Sequence, residues 1–325
     1  MLVSFFRTSR AQALIMLPFL ALLLRLPAFW RLQVIHSDPS FLFTGIFGWA
    51  QQWPVLSIVL SAFITFFIGL VTNNLIQRFD LLRSQNYLTA FFTITFLSLS
   101  PDFWFFNSEQ VAVLFLIFAL NKTFHLARSE NTLSLSFEAA LMFSLAGCFS
   151  LPLLLFFLLL PIAQLSFSSI GVREFFVTLI GLLLPFYFWW GVEFVWVGTD
   201  SYSLRNHLSI ERFTFSFDVK LWQEHLAMMI ALLVALVLSM GSYLKGIQVN
   251  TVKTKNTLLL FLWILVFAIL SQYVFQNQKI LAVLLLSPAV IAANYSTYSK
   301  KKWIPEIMII LILLGAGYTQ WTLFG

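Results

Sequence analysis

Residues 139–165 read AALMFSLAGCFSLPLLLFFLLLPIAQL, and the fold turns on whether this run crosses a membrane once or doubles back. The run is longer than the ~20 residues of a single apolar span and too short for two full ones. Gly147, Ser150 and Pro152 interrupt its middle, and Pro161 recurs near its end. Proline lacks the helix donor and clashes with the preceding turn, so a break is expected near 150–152. Two short helices forming a hairpin and one broken span are the alternatives.

The composition around this run calls for a membrane. Of 325 residues, 60% are hydrophobic, 10% are charged and 38 are phenylalanine. The mean hydropathy is +0.90. About a quarter of a soluble domain's residues are charged. A soluble chain of this size still exposes roughly a quarter of its unfolded surface, so it could not hide so much apolar area. A soluble enzyme, a disordered chain and a disulfide scaffold are thereby excluded. The single cysteine, Cys148, reads as an inert buried thiol.

Further apolar runs of about 20 residues lie at 11–30, 54–76, 87–106, 108–126, 175–197, 226–244, 257–275, 280–298 and 303–322. The expected fold class is therefore all-α, a polytopic transmembrane bundle forming one integral membrane domain over 1–325. The excess of Lys and Arg on cytoplasmic loops fixes the orientation. Arg7 and Arg10 stand without an acid, which puts the N-terminus in the cytoplasm. With a hairpin at 139–165 there are about eleven segments. Arg7, Arg10, Arg78, Arg83, Lys122, Arg128, Arg173, Lys245, Lys253, Lys255 and Lys300–Lys302 then fall inside, 13 of the 19 basic residues. A single crossing inverts everything downstream and leaves ten inside against nine. The hairpin is the expectation.

The net charge of +6 thus records topology, and a nucleic-acid partner loses its support. A cleaved signal peptide is not expected either. The first apolar stretch is too long, and Pro27-Ala-Phe-Trp-Arg31 is a poor small-residue cleavage site.

Two outer loops are long enough to do chemistry. In the first, Asp38 followed by Pro39 reads as an N-cap and first helical residue, starting a helix over 39–53. Its Phe41, Phe43, Ile46, Phe47, Trp49 and Trp53 suit a helix lying in the membrane interface. The second loop, 198–225, is the most polar segment of the chain.

Acids gather on the outer side: Asp38, then Asp102 and Glu109 around the turn Ser100-Pro-Asp-Phe-Trp-Phe-Phe-Asn-Ser-Glu109. A carboxylate at a partly dehydrated interface can act as a general base or hold a divalent cation. The same three residues also suit helix caps and first turns, where the dipole favours acids. Arg25, late in the first helix, either snorkels to the interface or holds an anion such as phosphate. Glu193 could pair with a base near the outer end of its own helix. Lys279 opens a helix against the dipole, a position that makes sense if it holds a lipid phosphate and is otherwise that of a solvated loop lysine. His36, His125, His207 and His225 include no i, i+4 metal pair, and His36 is the one near Asp38.

The order of these features resembles the GT-C-type polytopic glycosyltransferases, which move a sugar from a polyprenyl-phosphate carrier. Asp38-Pro39 leading into 39–53 is similar to their acid and interfacial helix after the first span. Phe96-Leu-Ser-Leu-Ser-Pro-Asp102 through Glu109 is similar to their second outer segment. Leu145–Leu165 is similar to their broken helix pair, and Lys279–Pro288 to their late basic and proline-bearing run. The chain departs from them in having one acid after the first helix and Gly147-Cys-Phe-Ser150 where a Thr-Lys often stands. The resemblance implies Asp38 as general base or divalent-cation ligand and Asp102 or Glu109 as a second acid. It implies Lys279 on the lipid phosphate, with Arg25 or Arg31 and His36 assisting. It further implies an inner-membrane location, a membrane-lipid partner and an envelope acceptor on the outer face. The alternative is a non-catalytic membrane protein, either a transporter or a scaffold subunit of an envelope complex.

Overall fold

A computed structural model describes residues 2–29, 41–79, 81–82, 85–100, 103–126, 131–167, 171–197, 226–249, 252–274, 281–299 and 303–324. These residues are mostly helical, with no strand among them. The helices are α1 (Leu2–Phe6), α2 (Ala11–Leu23), α3 (Phe41–Gln51), α4 (Pro54–Arg78), α5 (Leu88–Leu97), α6 (Ser108–His125), α7 (Thr132–Phe149), α8 (Leu159–Phe167), α9 (Val172–Val197), α10 (Leu226–Val249), α11 (Val252–Val274), α12 (Leu281–Tyr298) and α13 (Trp303–Phe324). Short 3₁₀ helices follow α2 (Leu26–Phe29) and precede α8 (Leu151–Leu158).

Residues 139–165 do turn back. α7 stops at Phe149, Ser150 is extended at φ −147° and ψ 104°, and Pro152 opens the 3₁₀ segment. The return is tight. A Cβ on Gly147 would lie 2.9 Å from Leu154 Cδ1, so only glycine lets the returning chain approach this closely. At the far end, Gln164 Nε2 donates to Ser136 Oγ at 2.9 Å, which pairs the end of α8 with the start of α7. α7 begins at Thr132, earlier than its apolar run, and its Glu138 pairs with Lys122 of α6 at 2.5 Å.

Other boundaries shift for local reasons. The first span is shorter than 11–30: Pro27 cannot donate, and the chain tightens into the 3₁₀ turn. The 87–106 run is helical only to Leu97, since Ser98 and Ser100 precede Pro101 and the residue before a proline is driven out of the helical region. α4 starts with Pro54 in its first turn, where no donor is lost. α6 starts at the expected place, with Asn107 Oδ1 accepting from Gln110 N at 3.0 Å.

α5 and α12 form the centre. Every residue of α5 is buried, as are most described side chains of α12, and the two pack on each other, with α4 also packing on α5. One contiguous apolar core runs from Val3 to Ile312. Among the described residues, Pro54–Arg78, Thr132–Phe149, Val172–Val195 and Thr254–Ser271 are long and apolar enough to cross a membrane, and six shorter apolar helices accompany them. α9 turns Val172, Phe175, Ile180, Tyr187, Phe188 and Val195 outward, all more than half exposed. So much apolar surface on one helix is compatible with an integral membrane protein.

Candidate functional site

The polar centre of the bundle is built on Arg25. α2 ends at Leu23, after which Leu24 N donates to Leu20 O and Arg25 N to Leu22 O. That slip into a 3₁₀ turn takes the usual amide donor away from the Ala21 carbonyl. Arg25 Nη1 supplies the missing bond at 3.0 Å, so its side chain caps the helix it belongs to. The guanidinium then reaches Ser98 Oγ at 3.2 Å, Ser61 Oγ at 3.2 Å and Thr65 Oγ1 at 2.6 Å. Phe103 O accepts from Nε at 3.3 Å and from Nη2 at 3.0 Å.

Arg25 is fully buried. Its five N–H groups meet five protein oxygens, and no carboxylate of the described residues lies among them. Neutral dipoles solvate the charge, and the geometry leaves no donor for a phosphate. The side chain therefore neither snorkels outward nor presents itself to an anion. It welds α2 to α4 and to the turn at 98–107.

The partners come from α4 and α6. Ser57, Ser61 and Thr65 follow one another at i, i+4 and i+8, which puts three hydroxyls on one face of an otherwise apolar helix. Ser57 Oγ accepts from Phe106 N at 2.9 Å, and Ser61 Oγ donates to Phe103 O at 2.5 Å. Gln110 Nε2 joins Ser61 Oγ at 2.7 Å and Phe103 O at 3.1 Å. Gln110 Oε1 is buried and has no hydrogen-bond partner among the described residues, an acceptor beside the turn.

Aromatic side chains close the turn from above. Phe106 makes edge contacts with Phe43 at 4.9 Å and Phe47 at 5.3 Å, which seats α3 on the turn. Phe29 packs with Ala28, Ile58, Trp104 and Phe105. The chain thus meets the turn at Phe29 and again at Phe43. Glu109 lies in the first turn of α6, as expected, and is buried at 7% exposure. Asp38, Asp102, Lys279, Arg31 and His36 lie outside the described residues, as do Pro39 and the loop 198–225. Glu193 is buried, and His125 makes an edge contact with the Phe79 ring at 5.1 Å. No three His, Cys, Asp or Glu side chains cluster among the described residues.

The sequence reading missed the hydroxyl stripe and Gln110. The signal was present in the i, i+4 spacing of Ser57, Ser61 and Thr65 within an apolar helix facing a buried arginine.

Fold and site together define an all-helical bundle with helices of membrane-spanning length and a buried cationic weld beneath an aromatic-capped turn. The chain belongs to a family of unknown function, DUF6427, which it matches over residues 40–318. The match includes the turn and its hydroxyl stripe, while Arg25 precedes it. No curated protein and no solved structure matches the chain.

Proposed function

We propose that this chain is a polytopic inner-membrane protein of about eleven segments, with its N-terminus in the cytoplasm. Its outer face carries a GT-C-like site that moves a sugar from a polyprenyl-phosphate donor to an envelope acceptor. Asp38 serves as general base or cation ligand, Asp102 or Glu109 as second acid, and Lys279 with Arg31 on the lipid phosphate; His36 assists.

One observation carries this reading. Phe29 and Phe43, on either side of the segment that holds Asp38, both pack on residues 104–106. Five residues separate Asp38 from Phe43, a connection that spans at most about 18 Å. Glu109 follows the same aromatic turn in the first turn of α6, so the proposed pairing of the two acids asks only for a short connection. Gln110 Oε1 offers an acceptor at the same turn. Arg25 has a positioning role here, because its donors are all in use.

The test is transfer by the purified protein in nanodiscs from a labelled polyprenyl-phosphate sugar. Asp38→Asn is expected to lower transfer by about 10²- to 10⁴-fold, the usual contribution of a general base. Equal transfer by wild type and Asp38→Asn removes Asp38 from the mechanism, and no transfer by either removes the enzyme reading. The scaffold reading is favoured by one feature, the close packing of Trp104, Phe105 and Phe106, each 5% exposed or less.

A further inference from the structure

At the end of the bundle opposite the turn lies a cavity of ≈ 840 Å³ that the proposed activity does not use. Val3, Ser4, Arg7 and Thr8 line it from the N-terminal segment, Ser296 and Ser299 from the end of α12, and Pro305 and Glu306 from the start of α13. The segment is docked firmly. Phe6 stacks on Phe91 at 4.6 Å, Tyr87 N donates to Phe6 O at 3.0 Å, and Arg7 Nη2 donates to Thr297 O at 2.6 Å. That last bond is the one side-chain hydrogen bond Arg7 makes among the described residues and uses one of its five N–H groups. The others remain for a ligand, beside the hydroxyls of Ser4, Thr8 and Ser299.

A neighbouring apolar groove of ≈ 440 Å³ has a lining that includes Phe5, Met16, Phe19, Leu23 and Leu313. Both spaces touch α13, the polar one at Glu306 and the apolar one at Leu313. Seven residues of helix set them about 10 Å apart along its axis. A cavity lined by Arg7, Glu306 and hydroxyls, with an apolar groove about 10 Å further along α13, has the polarity profile of a zwitterionic phospholipid. The surrounding sequence agrees in charge: Arg10 follows Arg7, and Lys300, Lys301 and Lys302 follow Ser299.

We infer that this cavity is a phospholipid site, with the phosphodiester held by Arg7 and an acyl chain lying in the groove. The inference is independent of the transferase reading and requires only that α2, α12 and α13 stand in a membrane. Glu306 lines the cavity together with Arg7, so phosphatidylethanolamine, whose headgroup carries both charges, is the probe of choice.

The full-length protein in detergent would be titrated with phosphatidylethanolamine and scored by native mass spectrometry. Arg7→Gln is expected to weaken binding about tenfold, the loss of a charge-assisted hydrogen bond. Arg7→Lys is expected to restore most of it. Phe19→Ala changes a side chain that is 62% exposed, so it tests the groove without disturbing the core, and it is expected to weaken the same binding. Wild-type affinity in both Arg7→Gln and Phe19→Ala overturns the site. So does equal binding of diacylglycerol, which lacks the phosphate. Displacement by inorganic phosphate alone would assign the cavity to a free phosphate and overturn the lipid occupant.

Discussion

Replacing Arg25 by lysine keeps the buried charge and removes the fork that distributes it. The ammonium has three N–H groups where the guanidinium has five, so at least two of the five oxygens now bound lose their donor. Phe103 O is protected, because Ser61 and Gln110 also donate to it. The loss that matters falls on the Ala21 carbonyl, whose bond from Arg25 is a cap, because Ser98 Oγ also donates to Ile94 O and Thr65 Oγ1 also accepts from Gln110 Nε2. One buried polar group left unpaired costs about 1–3 kcal/mol, which is the loss expected here. The assay is reversible unfolding in mixed detergent micelles, read as a midpoint shift at unchanged slope. Ser61→Ala, made alone and with Arg25→Lys, completes a double-mutant cycle. The two changes share partners, so their effects are expected to fall short of additivity. An Arg25→Lys protein within about 0.5 kcal/mol of wild type, the ordinary scatter of surface substitutions, would refute the weld.

Phe106→Ala removes both ring contacts that seat α3; a loss of about 3–5 kcal/mol is expected, together with faster proteolysis ahead of Phe41. Gly147→Val forces a methyl group against Leu154, where a Cβ already lies at 2.9 Å. The hairpin should lose about 1–3 kcal/mol from overpacking, measured by the same unfolding assay. Lys122→Met breaks the ion pair with Glu138, but both side chains are more than a third exposed, at 36% and 39%. Its effect on the same midpoint is expected to stay below about 1 kcal/mol. Cys148 is buried, so maleimide labelling of the folded protein should be slow and become fast on unfolding.

The hairpin was legible because its determinants are local: Gly147, Ser150 and Pro152 act on their own backbone. That α3 is a helix was legible for a similar reason, since its aromatic and apolar run is a local signal; the structure gives it as Phe41–Gln51. The length of α5 was misjudged although Pro101 was in plain view, because an apolar run hides the point at which the helical hydrogen bonds stop. The destination of Arg25 was out of reach for a different reason. Apart from the Ala21 carbonyl on its own helix, its partners sit 36 to 78 residues away, and one of them is the backbone carbonyl of Phe103, which carries no side-chain signature. A lone arginine in an apolar segment reads as a ligand site until the hydroxyls that solvate it are found on another helix.

The central claim is that the acids and the late lysine meet over one turn. In a Cys148→Ser background, cysteines at 38 and 279 would be treated with short and long bismaleimides in membranes, alongside a cysteine pair at 38 and 109. Phe43 and Phe106, already in ring contact, provide the positive control as a third pair. The account predicts intramolecular cross-links for all three pairs with the short reagent. Cross-linking of the control pair alone, with 38 and 279 unbridged even by the long reagent, would contradict it.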